Sequence, residues 1–148
     1  MCIRDSDNTF VGYASGHGAI NGADKCVAIG STAFGGAAAE DGTVAIGYGS
    51  CAAITSAGNS TAVGYLALNT ETVAHYSTAI GFRALETQNG GEANTAVGNN
   101  AGNAITSGDK NTIMGSQAGH QFTTGEKNTL LGYQALSLIH ISEPTRPY

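Results

Sequence analysis

The sequence predicts an all-β fold, a parallel β-solenoid or β-roll of about eight 17-residue coils, and three observations carry that expectation. A short motif ending in glycine recurs at a fixed interval: Gly12, Gly30, Gly47, Gly64, Gly81, Gly98, Gly115 and Gly132 are spaced by 18 residues once and by 17 thereafter. The residues before these glycines are mostly β-branched or apolar, reading NTFVG, CVAIG, TVAIG, STAVG, STAIG, NTAVG, NTIMG and NTLLG. Such runs, closed by glycine, favour short strands. The composition, with 22 Gly, no Trp and 11% charged residues, suits neither an ordinary globular domain nor a charge-rich disordered tail. A unit of this length is too short for a helical hairpin repeat, and it lacks leucine-rich spacing.

Each coil therefore reads as short strand, turn, second short segment, turn. Within the strand, side chains alternate faces, so the residue three before each glycine and the residue immediately before it share one side. The latter column, Val11, Ile29, Ile46, Val63, Ile80, Val97, Met114 and Leu131, is apolar throughout and is assigned inward as the structural core. The former column, Thr9, Val27, Val44, Thr61, Thr78, Thr95, Thr112 and Thr129, is β-branched and expected to be buried or nearly so. This assignment leaves Ala28, Ala45, Ala62, Ala79 and Ala96 facing outward. After the turn glycine, Ala33, Ala67, Ala84, Ala101, Ala118 and Ala135 form a second inward column, small because the chain turns tightly there. Phe34, Cys51, Leu68 and Leu85 add apolar volume. The coil begins with Asn or Ser at Asn8, Ser60, Ser77, Asn94, Asn111 and Asn128, side chains that cap turn amides and stack as ladders.

Coils stacked at the ~4.8 Å strand spacing make a rod of about 35 Å. No coil stands alone, because each buries its apolar face only against its neighbours. A core of Ala, Val and Ile is thin even when stacked, so side-by-side chains are expected to bury more of it, with a homotrimer as the native form.

The chain ends read differently. MCIRDS at residues 1–6 and LSLIHISEPTRPY at residues 136–148 resemble translated transposase-end adapters, and the reverse complement of one set of codons for the first spells Leu136-Ser137-Leu138-Ile139-His140 at the start of the second. Both are read as non-native, leaving residues 7–135 as the repeat domain and as an internal piece of a longer reading frame. The net charge of −5 then belongs to the repeats, where Lys25, Arg83, Lys110 and Lys127 face nine acidic residues. That balance excludes a nucleic-acid-binding surface, which needs clustered Lys and Arg. No membrane insertion is expected of this segment.

Nothing in the columns assembles catalytic, cofactor or metal chemistry. Gly47-Tyr48-Gly49-Ser50-Cys51-Ala52 imitates a dinucleotide-binding turn, yet each residue is accounted for by its place in the repeat and no helix pattern follows. The acidic column of Asp24, Asp41, Glu92, Asp109 and Glu126 reads as a solvated turn, its repulsion relieved by Lys110 and Lys127, with a weak ion site as the lesser reading. His17, His75 and His120 are too scattered to share a metal. Cys26 and Cys51 fall in different columns, so no disulfide joins them, and Cys51 reads as a small buried hydrophobe. Tyr48, Tyr65 and Phe82 follow their glycines in three successive coils and are expected to stack along one edge as a candidate surface contact.

The segment CVAIGSTAFGGAAAEDGTVAIGYGS, with the NTAVG and STAIG copies, resembles the head repeats of trimeric autotransporter adhesins. NTAVGNNAG, NTIMGSQAG and NTLLGYQAL look still more like the NTAIGYQAL arrays of phage tail-fibre and bacterial surface-fibre proteins. The resemblance covers residues 8–135 and rests on repetition. It implies a homotrimeric, non-enzymatic fibre segment on a bacterial surface or virion tail, with a host-surface glycan or protein receptor as its partner. The unit here is longer than the shorter adhesin-head unit, and the chaperone domain that carries the fibre family's enzymatic activity is not in this sequence. The alternative function is an ice-binding solenoid with a Thr ladder from Thr61 to Thr129. Val27 and Val44 interrupt that ladder, and an outward Ala column would supply no second Thr rank.

Overall fold

The structure, a computed structural model, describes residues 7–17, 22–36, 41–56, 58–73 and 75–136. Each glycine-terminated motif is a three-residue strand: β1 (Thr9–Val11), β2 (Val27–Ile29), β3 (Val44–Ile46), β4 (Thr61–Val63), β5 (Thr78–Ile80), β6 (Thr95–Val97), β7 (Thr112–Met114) and β8 (Thr129–Leu131). They form one parallel sheet in sequential order β1 to β8. Equivalent residues pair throughout, as in Ala45 with Ala62, Ala62 with Ala79 and Ala79 with Ala96. The chain is thus a β-solenoid of about seven turns that advances by one layer per repeat.

The second segment of the coil is not a strand, because alternate residues in it are left-handed. Leu66, Arg83 and Asn100 have φ of 53°, 53° and 52°, and Leu68 and Leu85, two residues after the first pair, have 52° and 49°. Each such residue costs roughly 1–2 kcal/mol. The rotation turns its amide along the rod axis: Leu66 N–H donates to Tyr48 O at 2.9 Å in one neighbouring coil, and Leu68 N–H donates to Ala84 O at 3.0 Å in the other. Bonds of this kind return about 0.5–1.5 kcal/mol each, and they hold the wall together where no strand exists.

The turn glycines are required by stacking. At Gly64 (φ +139°) an added Cβ would lie 2.3 Å from Gly81 O, and at Gly81 (φ +136°) it would lie 2.3 Å from Gly98 O. Adjacent coils approach here backbone to backbone.

The strand faces correct the expectation from sequence. The fully buried strand residues are the central ones, Ala28, Ala45, Ala62, Ala79, Ala96 and Ile113, with Leu130 nearly so. The column Val11, Ile29, Ile46, Val63, Ile80, Val97, Met114 and Leu131 faces outward: Ile46, Val63 and Val97 are half-buried, and the others are exposed, from 38% at Ile29 to 76% at Leu131. The Thr/Val column lies on the same outward side and is half-buried or exposed throughout. The second inward column matches expectation, with Ala33, Ala67, Ala84, Ala101 and Ala118 fully buried and Phe34, Cys51, Leu68 and Leu85 beside them.

The physical reason is the narrowness of the tube. A coil that carries Leu68 or Leu85 on its turn wall has room only for Ala62 or Ala79 on its strand. In the β1 and β7 coils, where the turn wall carries Gly16 and Gly119, the strand residue grows to Phe10 and Ile113. A Cβ on Gly16 would lie 2.6 Å from the Phe10 ring, and one on Gly119 would meet Ile113 Cδ1 at 3.4 Å and Leu130 Cδ1 at 3.6 Å. Interiors are packed to near-constant density, so in these coils the two walls exchange volume, while the β6 coil, small on both walls with Ala96 and Gly102, is filled from its neighbours: a Cβ on Gly102 would lie 2.9 Å from Leu85 Cδ2 and 3.1 Å from Ile113 Cδ1.

Candidate interaction surface

Because the Ala column is inward, the sheet presents two in-register outward ranks. One is the Thr/Val column and the other is the Val/Ile column with Met114 and Leu131. Neither rank contains a charged residue. One glycine further on, Tyr48, Tyr65 and Phe82 continue the exposed surface in β3, β4 and β5's coils. Their rings stack as expected, with centroids 5.4 Å and 5.3 Å apart and planes inclined by 14° and 9°. The ring faces are turned to one another along the rod axis, so their edges meet solvent. The Arg83 guanidinium lies 5.4 Å from the Phe82 centroid and covers the end of the stack.

A second feature closes the coils that begin with Asn or Ser. Asn111 Oδ1 accepts the Asn128 N–H at 3.0 Å, and Asn94 Oδ1 accepts the Asn111 N–H at 2.9 Å. Their amide groups donate to carbonyls one coil on, Asn94 Nδ2 to Gly108 O at 2.6 Å and Asn111 Nδ2 to Gly125 O at 2.7 Å. Ser60 and Ser77 perform the same task with longer bonds, each accepting the next coil's N–H at 3.3 Å. The expected Asn/Ser ladder is therefore present, buried at Ser60, Ser77, Asn94 and Asn111 and half-buried at Asn8 and Asn128.

Sequence reasoning missed the polar pair to which this ladder connects. Glu71 and Gln88 are fully buried in adjacent coils, at the repeat position that holds Ile54 and Ile105 elsewhere. Glu71 Oε1 accepts N–H groups from Val73 and Gly90, both at 3.1 Å, and Oε2 accepts Gln88 Nε2 at 2.9 Å. Gln88 Nε2 also donates to Gly91 O at 2.7 Å and to Ser77 Oγ at 3.0 Å, while its Oε1 accepts Asn94 Nδ2 at 3.0 Å. The available signal was the column itself, since Ile54 and Ile105 mark it as interior.

The acidic column has a structural use. Asp41 Oδ1 accepts the Asp24 N–H and Asp109 Oδ1 accepts the Glu92 N–H, each at 2.8 Å, so a carboxylate caps the equivalent turn one coil away. His75 Nδ1 accepts the Gly58 N–H at 3.1 Å in the same column. Arg83 Nε pairs with Glu86 Oε1 at 3.5 Å. Among the described residues no group of three or more His, Cys, Asp or Glu is placed to hold a metal. Cys26 and Cys51 are both buried, and no disulfide joins them. Burial pushes both thiols up, reinforced at Cys51 by the charge of Glu71 and opposed at Cys26 by backbone hydrogen bonds from Thr43 and Gly42. A thiol held protonated is a poor nucleophile. Gly47 and Gly49 lie in the turn that follows β3, and residues 50–56 continue the coil as turns and bends.

No protein-family model, curated protein or solved structure matches this chain. No helix among the described residues is long and apolar enough to cross a membrane.

Proposed function

We propose that this chain is a shaft segment of a multi-chain fibre, homotrimeric in its native form, which presents or contributes to attachment at a host or other surface on a bacterial cell or virion tail. The observation that carries the reading is the outward rank of Val, Ile, Met and Leu along the sheet. A solitary solenoid has no use for a continuous apolar rank on its surface, and exposed apolar patches of this extent mark interaction sites. The regular layer spacing gives length at low cost in sequence, and the absence of catalytic columns suits a structural role. Sedimentation equilibrium of the chain tests it. Assembly to a multiple of 14.9 kDa is expected, and a folded species that stays monomeric at every concentration overturns the multi-chain reading.

Ice binding is the second reading, and one observation favours it more than the sequence did. The Thr and Val/Ile ranks share one outward face, so the hydroxyls of Thr61, Thr78, Thr95, Thr112 and Thr129 stand beside a parallel rank of methyl groups. It ranks second because Val27 and Val44 break the hydroxyl rank, and Met114 and Leu131 break the other with unbranched or longer side chains. Thermal hysteresis with faceted crystals at micromolar protein would promote it over the fibre.

A further inference from the structure

We infer that the Tyr48–Tyr65–Phe82 stack is the axial register key between copies of this chain, seated against a second, parallel copy. The inference rests on the multi-chain reading above. Two solenoids that meet through the outward sheet ranks face a degeneracy: the Thr/Val and Val/Ile columns repeat at every layer, so a slip of one layer, ~4.8 Å, exchanges each contact for a near-equivalent one. A feature that does not repeat must choose among the slipped states. In the column after each glycine, the aromatic block spans three successive coils and is bounded by Ser31 on one side and Asn99 on the other. It therefore has a position along the rod, which the flanking ranks mark only by the conservative changes at Val27, Val44, Met114 and Leu131.

The chemistry of the block selects a protein partner. Sugar recognition on aromatic residues uses open ring faces, and here the faces of Tyr65 and Phe82 are turned to neighbouring rings at 5.3–5.4 Å and to Arg83, which leaves the outer face of Tyr48 as the one face without such a partner. Tyr48, Tyr65 and Phe82 stay 52%, 43% and 44% exposed, and the stacking makes ring edges the surface that all three share. Edges pack well against aliphatic and aromatic side chains. Area points the same way. Two outward ranks about 35 Å long and ~12 Å wide bury about 800 Å² over both partners, the level of adventitious contacts. Half-exposed rings of this size add roughly 80 Å² apiece, which lifts the total to about 1,300 Å² and into the range of specific complexes. The block is thus the part of the surface that makes association both stable and uniquely aligned.

The test combines two variants of the full chain with a cross-linking map. Tyr65→Ser removes the central ring and keeps a hydroxyl, while Tyr133→Ser makes the same change at an isolated aromatic of the same column; circular dichroism checks that both retain the fold. In sedimentation, Tyr65→Ser is expected to weaken association about tenfold or more, and Tyr133→Ser to leave it unchanged. Benzoylphenylalanine at position 82, photolysed in a mixture of isotopically light and heavy chains, is expected to link copies within residues 61–100. Inter-copy links spread evenly over all coils, or an assembly indifferent to Tyr65→Ser, overturns the register key and leaves the multi-chain fibre standing. A wild-type chain that stays monomeric overturns both. Loss of binding to an immobilised glycan in Tyr65→Ser, with association unchanged, assigns the block to a receptor and also overturns the inference.

Discussion

In the middle of the rod the coils that carry Ala62 and Ala79 on their strands carry Leu68 and Leu85 on the turn wall, whereas at one end Phe10 shares its coil with Gly16 and towards the other Ile113 shares its coil with Gly119. The same tube is filled from opposite sides. The interior is set by the space shared within a coil and with its neighbours, as at Ala96 and Gly102, where Leu85 and Ile113 reach in, so a column can change from Ala to Ile without changing the path of the backbone. The strands at both extremes remain in register with the middle ones, Phe10 with Ala28 and Ala96 with Ile113. The outward ranks obey no such exchange, because nothing in the single chain confines them.

The backbone sets the sharpest contrast between middle and end. Gly81→Ala drives a methyl into Gly98 O at 2.3 Å with φ at +136°, while at the last coil an added Cβ on Gly132 (φ +120°) meets nothing within 4 Å. Gly81→Ala is expected to cost more than about 4 kcal/mol and to disrupt the stack around it, and Gly132→Ala about 1–3 kcal/mol from backbone strain alone. Urea unfolding followed by circular dichroism separates them; equal losses would mean that the coils are not in backbone contact.

The volume exchange itself can be transplanted. Leu85→Gly alone opens a cavity and is expected to cost roughly 3–5 kcal/mol. Ala79→Leu alone overpacks the tube and is expected to cost about 1–3 kcal/mol. Combined, they convert a middle coil to the pattern of the terminal ones, and the double variant should recover about 2 kcal/mol or more relative to the sum. Strict additivity in this cycle would show that the two walls do not share one space.

How much of this was legible in the sequence follows from the same comparison. Periodicity located every strand and the turn glycine that ends it, because a translational repeat needs no knowledge of which side is inside. The inner wall of Ala33, Ala67 and Ala84, with Leu68 and Leu85 beside it, was also legible, since small residues at a tight turn have one plausible direction. The strand faces were not. Hydrophobicity ranks Val and Ile above Ala, so Ile46, Val63 and Ile80 looked like core, although the narrow tube excludes them. The informative copies were the atypical ones: Phe10, Ile113 and Leu130 in the central position, each with a compensating or terminal wall partner, betray an interior column that Ala hides. Glu71 and Gln88 were invisible to composition and visible only to column alignment. Nothing in a single-chain pattern states what covers an outward rank.

The polar closure supplies a second contrast along the rod, between the Asn-lined coils and those that hold Cys26 and Thr43 at the same repeat position. Asn111→Ala removes the acceptor of the Asn128 N–H and the donor to Gly125 O inside the rod. At about 1–3 kcal/mol for each buried group left unsatisfied, a loss of roughly 2–4 kcal/mol is expected in the unfolding free energy. If the loss were below ~0.5 kcal/mol, water would have to reach these groups and the ladder would not be an interior feature.

At the other side of that contrast, Thr43 is fully buried and its Oγ1 has no hydrogen-bond partner. Its backbone serves the stack regardless, since Thr43 O accepts the Val27 N–H at 2.9 Å. Thr43→Val keeps the β-branched shape and exchanges the orphan hydroxyl for a methyl, so stability should stay level or rise by up to about 1 kcal/mol. This is the smallest of the expected effects and the one whose sign carries the information. Asn111 and Thr43 occupy the same position of the repeat, and both are buried; the difference lies only in whether the side chain reaches a neighbouring coil. A gain at position 43 beside a loss at position 111 would establish that polar closure is a local option of each coil, used where an Asn spans the layer spacing and dispensable where Thr falls short of it. A loss at position 43 larger than ~1 kcal/mol would instead require a partner for that hydroxyl and erase the contrast.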